Sequence, residues 1–283
     1  MKTIENKTFP YERALYGEDG LYLKNCAFDG EEDGESALKE AKNITLDHCY
    51  MNLRYPLWHD ENVKIINSEM TDKCRAALWY SSGVIIEDSN MFGIKAVREC
   101  SDITLKNTKV ISPEFGWKNS KITAVKCDIE GEYPFFMSKE LTFDNITLRG
   151  KYSFQYTENV VITNSVLDTK DAFWHAKNVT IKDSVVRGEY LAWYSEGLTL
   201  ERCKIIGTQP LCYCKNLTLI DCEMESTDLS FEYSDVFATV KGEIMSVKNP
   251  RSGFIRADKI GEIILTDDSK YECKCEITEV SRK

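Results

Sequence analysis

Two carboxylates have the spacing of an acid–base pair. Asp171 and Glu189 lie eighteen positions apart, and the chain repeats every nineteen residues, so they fall on adjacent repeats at neighbouring positions. At a separation of ~5–9.5 Å such a pair is placed to cleave a glycosidic bond, one carboxyl as acid and the other as base or nucleophile. Lys170 stands near enough to neutralise either. His175, with Tyr156 and Tyr194 on flanking repeats, is a candidate to assist proton transfer; packing is the simpler use of it. Arg98, between Trp79 and Trp117, could hold a carboxylate or act as the base of an elimination, and stacked cation–π packing is again simpler. Glu99 and Glu114 are offset by roughly 13 Å along the strands, too far for a catalytic pair. Lys118 and Lys95 are their ladder neighbours.

These charges punctuate a column of rings. All five tryptophans, Trp58, Trp79, Trp117, Trp174 and Trp193, sit five residues before the apolar anchor of their repeat. Other repeats place Arg98, Phe136, Gln155, Cys212 and Phe231 there, and a column admitting Arg and Gln is hard to bury, so it is expected to face outward. The residues just before it (Leu57, Leu78, Val97, Phe135, Phe154, Phe173, Leu211) are then inward. One position after the tryptophans run His59, Tyr80, Glu99, Lys118, Met137, Tyr156, His175, Tyr194 and Tyr213. Three positions before them run Tyr55, Ala76, Lys95, Glu114, Tyr133, Tyr152, Asp171, Tyr190 and Gln209. An exposed face of rings marks a binding surface, and flat rings with polar neighbours suit a saccharide. Trp58, Trp79, Trp117, Trp174, Trp193, Tyr156, Tyr190, Tyr194, Glu99 and Glu114 are its candidate ligand contacts. Ring stacks between repeats also stabilise a sheet by ~0.2–1 kcal/mol per pair, so the ladder serves equally as architecture, or as a face covered by another copy of the chain.

The element that must carry these columns is a short repeat. Its anchors are Ile44, Val63, Val84, Ile103, Ile122, Leu141, Val160, Val179, Leu198, Leu217 and Val236, and only the step from Val63 to Val84 is longer, by two residues. A second apolar column lies two residues on, with Thr45, Thr104, Thr180 or Thr199 between: the strand period. Next come a bend position (His48, Asn67, Asp88, Asn107), a small column expected to point inward (Cys49, Ser68, Ser89, Thr108, Cys127, Ser165, Ser184, Cys203, Cys222, broken by Ile146), a second strand, and a glycine-biased corner (Gly93, Gly131, Gly150, Gly188, Gly207). A third strand carries the rings. A unit this small must stack on its neighbours to bury its apolar side. The expected fold is all-β, a right-handed parallel β-helix of about eleven coils, single-stranded and some 50 Å long at ~4.8 Å per coil. The hexapeptide rhythm of left-handed helices is missing, and propellers need four strands per ~40–45 residues.

One domain is expected, with residues 1–43 as an N-terminal cap and partial coil interrupted by an acidic loop, Gly30 to Glu35, 44–242 as regular coils and 243–283 as a C-terminal cap. The eleven cysteines form an odd set in which several share a column with serine. Reduced, inward packing is expected, and the Cys-x-Cys pairs Cys212/Cys214 and Cys273/Cys275 lack zinc spacing, so neither a metal nor a cofactor is expected. A net charge of −10 argues against nucleic acid as partner. The first residues lack a signal-peptide core, and no run approaches the ~18 apolar residues that span a bilayer, so a cytoplasmic setting without membrane contact is expected.

The segments Glu12-Arg13-Ala14-Leu15-Tyr16, Gly34-Glu35-Ser36-Ala37-Leu38-Lys39-Glu40, Ala77-Leu78-Trp79-Tyr80-Ser81, Ser112-Pro113-Glu114-Phe115-Gly116-Trp117 and Asp171-Ala172-Phe173-Trp174-His175 resemble a bacterial family of unknown function, similar in fold to the pectin-lyase-like β-helices. The resemblance spans nearly the whole chain and implies the fold and a cytosolic setting. It brings no reaction or ligand, and the clustered aspartates of pectate lyases and polygalacturonases have no match here. The functional expectation is a protein that binds, or processes, a carbohydrate along its ring face, with a non-catalytic scaffold as the alternative.

Overall fold

The computed structural model describes residues 1–30 and 34–280, so part of the expected acidic loop, 31–33, lies outside the described residues. The chain is a parallel β-solenoid of about 14 turns with a period of about 19 residues. The hand expected from the sequence is that of nearly all parallel crossovers. More turns form than the eleven expected because strands outside the regular register also join the ladder. Lys2 pairs with Leu21, and Leu23 with Leu46; Val236 pairs with Gly253, and Ser252 with Lys274. Pairing follows the alternation of buried and exposed side chains, whereas the lengths of the connecting bends set the visible period.

Two compact units make up the chain, Met1–Thr142 and Phe143–Lys283. In the first, Ile44, Val63, Val84, Ile103 and Ile122 stand in one buried row. The longer step after Val63 is absorbed by a 3-10 turn at Asp72–Cys74, capped by the Thr71 hydroxyl, and the anchors stay in register. In the second unit Val160, Val179 and Leu198 continue the same pattern, and Leu217 pairs with Val236.

The small column does point inward, and hydrogen bonding explains its composition. The N–H of Cys49 donates to the Ser68 hydroxyl (2.9 Å) and that of Ser68 to the Ser89 hydroxyl (3.0 Å). In the second unit Ile146 N–H donates to Ser165 Oγ (3.1 Å) and Ser165 N–H to Ser184 Oγ (3.0 Å). Each hydroxyl in turn donates to the carbonyl two residues before it, as Ser68 does to Ile66 (2.7 Å). A buried bend thus finds partners for its backbone groups without water. At Ile146 the column lacks a side-chain acceptor for the coil before it, while its own N–H still donates to Ser165 Oγ. The cysteines here are buried small donors: Cys203 Sγ donates to Ile181 O (3.3 Å), and burial pushes the Cys49 thiol up to about 11.

The ring-bearing segment differs from expectation. Only Leu57–Trp58, Leu78–Trp79 and Val97–Arg98 form strands there, each of two residues. In the second unit the segment is a run of turns in which every second residue is left-handed: Tyr152, Phe154 and Tyr156, then Asp171, Phe173 and His175, then Tyr190, Ala192 and Tyr194. Left-handed backbone at bulky residues is uncommon. Its cost is offset by amides that bond alternately to the coil on either side, Asp171 N–H to Glu189 O (2.9 Å), Phe173 N–H to Ser153 O (2.9 Å) and His175 N–H to Trp193 O (3.0 Å). Inside the coil Phe154 and Phe173 stack face to face at 4.7 Å.

The glycine corner has a steric as well as a torsional reason. At Gly188 φ is +147°, and a Cβ would lie 2.2 Å from the Thr169 carbonyl oxygen of the preceding coil. Gly188→Ala is expected to lower unfolding stability by about 2–4 kcal/mol. Gly242, also left-handed but with nothing within 4 Å of its Cβ position, should lose only about 1 kcal/mol on the same change. Urea unfolding followed by circular dichroism compares the two.

Candidate functional site

The tryptophan column lies on the outer side of the coil, and it is half-buried rather than open. The residues just before it, Leu57, Leu78, Val97, Phe135, Phe154, Phe173 and Leu211, are fully buried, as expected. Four of the five indoles are anchored through their N–H groups, whereas the buried Trp79 N–H has no partner among the described residues. Trp58 donates to Ala76 O (2.8 Å), Trp117 to Tyr133 O (2.7 Å), Trp174 to Tyr190 O (2.7 Å) and Trp193 to Gln209 O (2.8 Å). Each therefore ties its coil to the next. Gln155 stands in the same column because its side-chain amide does the same work, donating to Asp171 O (3.0 Å). Its polarity reflects that bond, so it was no sign of exposure. Phe231 belongs elsewhere: an extra residue in that coil moves it into the inward column, fully buried, and Glu232 takes the outer place beside Tyr213.

In the first unit the column is closed by charge. The Arg98 guanidinium lies 5.0 Å from the Trp79 ring and 5.2 Å from the Trp117 ring. It also reaches Glu99 (3.4 Å) and Glu114 (3.7 Å), and Lys95 reaches Glu114 (3.6 Å). Arg98 is thus the common partner of the two glutamates, while Lys118 is absent from the set. A cation so enclosed is part of the packing.

The second unit carries a more regular arrangement. Tyr156, His175, Tyr194 and Tyr213 stack in sequence at 4.8, 5.1 and 4.7 Å with planes within 13° of parallel. Tyr156 and Tyr194 are about half exposed (50% and 47%). Behind them Trp174 and Trp193 stack at 5.5 Å and 4°. Ring faces in these rows are taken up by neighbouring rings. The edges of Tyr156, His175 and Tyr194 meet solvent, while the Tyr213 hydroxyl donates to Glu232 (3.4 Å). That differs from the platform of flat faces expected from the sequence.

Asp171 and Glu189 sit in unlike surroundings. Glu189 is exposed and ion-paired to Lys170 at 2.7 Å. Asp171 is buried (6% exposed) between Tyr152 and Tyr190 in its column, and burial pushes its carboxyl up against the opposing pull of Lys170. His175 is held between Tyr156 and Tyr194 and exposed. Tyr190 packs edge-on against Trp193 at 5.3 Å, with Lys170 Nζ 5.4 Å from its ring. Arg98, Glu99 and Glu114 belong to the first unit, and Asp171, His175 and Glu189 to the second.

A model of one protein family matches residues 2–278. The chain belongs to the family described as "Protein of unknown function (DUF3737)". A family of unknown function is what the segment resemblances implied. No curated protein matches the chain. Among solved structures, the A-module of the Azotobacter vinelandii mannuronan C-5 epimerase AlgE4 aligns at 11% identity and a TM-score of 0.40, covering 84% of this chain and 89% of that one. The periplasmic alginate epimerase AlgG aligns at 10% and 0.33, covering 91% and 77%. The catalytic domain of a GH87 alpha-1,3-glucanase aligns at 11% and 0.29, covering 99% and 63%. No residue role is carried over from them.

Sequence reasoning missed a second inward ladder, two positions after the tryptophans: Asp60, Ser81, Cys100, Asn119, Ser138, Ser195, Cys214 and Ser234. Its signal was an unbroken run of small or polar residues between rings and anchors. Cys100 N–H donates to Asn119 Oδ1 (2.6 Å) and Asn119 N–H to Ser138 Oγ (2.9 Å). Asp60 is the ionisable member. It is fully buried, its Oδ1 accepts from Ala41 N–H (3.0 Å), its Oδ2 has no partner, and burial pushes the carboxyl up to about 8. A folded-state value raised above the ordinary 3.8 gives stability that is complete below about pH 4 and is lost as pH rises towards 8. Asp60→Ser, which restores the usual ladder residue, should remove that loss, on the order of a few kcal/mol. Denaturant unfolding of both proteins between pH 4 and 9 measures it.

Proposed function

We propose that the second unit binds an extended, uncharged polyhydroxylated chain of the saccharide class along the row of ring edges formed by Tyr156, His175, Tyr194 and Tyr213. The observation that carries this reading is the regular stack of those four rings, of which Tyr156, His175 and Tyr194 are exposed and Tyr213 half-buried. Stacking fixes each ring without side-chain freedom left to lose, and it repeats a donor or acceptor at each coil, at the ~4.8 Å strand spacing. A single such hydrogen bond contributes about 1 kcal/mol, so affinity comes from the number engaged together. The border of the row supports a neutral ligand. Glu158, Lys177, Glu196 and Lys215 alternate in sign along one register column and compensate each other. A polyanion would find no net attraction there.

Binding rather than turnover is the reading we favour. Glu189 is occupied by Lys170, and His175 is clamped between two rings. A second reading, a non-catalytic scaffold in which the rings only stiffen the coils, is favoured by the indole N–H groups being spent on backbone carbonyls.

The two readings part on which rings matter. Trp193→Ala removes a half-buried indole and its bond to Gln209 O, and should cost about 3–5 kcal/mol of stability. Tyr194→Ala should cost about 1 kcal/mol or less. On a glycan array the wild type should retain neutral oligosaccharides and folded Tyr194→Ala should lose them. Absence of binding by the wild type, with both variants strongly destabilised, supports the scaffold.

A further inference from the structure

Among the described residues, the outermost strand of the second unit, Lys274–Glu279, is paired along one edge only, with Ser252–Ile264. Lys274 and Val280 direct their N–H groups to the coil before, to Arg251 O and Ala257 O (both 2.8 Å). By strand alternation Cys275 and Ile277 turn theirs to the open side. The same two residues continue the inward apolar columns. Cys275 lies over Gly253 and Val236, and Ile277 over Ile255 and Ala238. Ile255 is fully buried, whereas Ile277 and Cys275 are only half-buried. Farther along the coil before, Ile263 pairs with the fully buried Val247 yet is 49% exposed, and Leu265 is 56% exposed. The core is open at this end.

The outermost strand of the first unit is built differently. Lys2–Glu5 puts Lys2 in the anchor column beside the buried Leu21, and an inward charge at an edge turns a further strand away. In Lys274–Glu279 the one charge at an inward position, Glu279, is bent aside to accept the Ile260 N–H (2.8 Å). An apolar end with a free strand edge is completed by another strand. The residues of this strand indicate which. Aligned antiparallel with a second copy of itself, with the two-fold at Cys275, it sets Lys274 against Glu276 twice, Cys275 against Cys275, and Cys273 against Ile277. Charges of opposite sign then meet on the outer side and apolar groups on the inner. A two-fold at Lys274 or Glu276 would oppose like charges, and one at Ile277 would set Glu279 against Cys275. Within one copy both charges are loosely held, Lys274 3.9 Å from Glu272 and Glu276 3.9 Å from Arg256.

We propose that the chain forms a two-fold dimer through this end, with strand Lys274–Glu279 pairing antiparallel with the same strand of a second copy about Cys275. The contact is isologous and closes on itself, so it gives dimers and no fibres.

Sedimentation velocity over a dilution series of the full chain tests the proposal. The wild type should sediment as a dimer at the concentrated end of the series. Lys274→Glu and Glu276→Lys each oppose like charges at both pairs and should be monomeric, with unchanged circular dichroism. Mixed in equal amounts, the two variants should form a heterodimer, because each meets the opposite charge in the other. A loss caused by misfolding would not be repaired by mixing. Hydrogen-bonded antiparallel partners stand about 5.5 Å apart at Cα, which places Cys275 for a disulfide across the two-fold. After mild oxidation, non-reducing electrophoresis should show a covalent dimer from the wild type and from Cys273→Ser, and none from Cys275→Ser. A wild type that is monomeric throughout would overturn the proposal. So would single variants that remain dimeric, a mixture that stays monomeric, or a covalent dimer that survives Cys275→Ser.

Discussion

Everything in this molecule depends on finding partners for backbone N–H groups at bends that are sealed from water. A solenoid with a nineteen-residue turn bends so often that its strands alone cannot satisfy its amides. The solution is a side-chain oxygen placed inward at the bend, accepting the N–H of the coil before and, where it is a hydroxyl, donating to a carbonyl of its own coil. Because acceptor and donor come from successive coils, like positions must lie over one another. That constraint fixes the register of the apolar columns and of the rings outside them.

Vertical register is also what turns isolated aromatic residues into a surface. Tyr156, His175, Tyr194 and Tyr213 are separated by nineteen residues each, and only stacking of coils brings them to van der Waals distance. Once stacked, their faces are no longer free. The chemistry available to solvent is then that of the edges, hydroxyls and imidazole nitrogens in a line, which suits a chain of hydroxyl groups better than it suits a flat sugar face. The indole row behind them is spent on holding coils together.

The fold was legible because the periodicity is carried by residues whose burial is obligatory. Ile44, Val63 and Val84 announce one column whatever lies between them. The conformation of the third segment was hidden, since Tyr152, Phe154 and Tyr156 alternate bulky residues as a strand does, and nothing in that pattern distinguishes extended from alternating left-handed backbone. The ends were hidden for another reason: bends of irregular length erase the period while strands such as Lys274–Glu279 keep their pairing. For the site, composition pointed to the right columns, but Gln155 was read for its polarity when its role is a hydrogen bond that an indole could also make. Asp60 escaped notice because a lone aspartate among serines looks like a surface residue until the ladder places it inside.

Chemical-shift mapping tests the central claim, that ring edges rather than indole faces form the contact surface. With a neutral oligosaccharide added stepwise, the ring-edge signals of Tyr156, His175, Tyr194 and Tyr213 should move together while the indole N–H signals of Trp174 and Trp193 stay in place. Movement of the indole signals with the tyrosine edges unchanged would contradict the account.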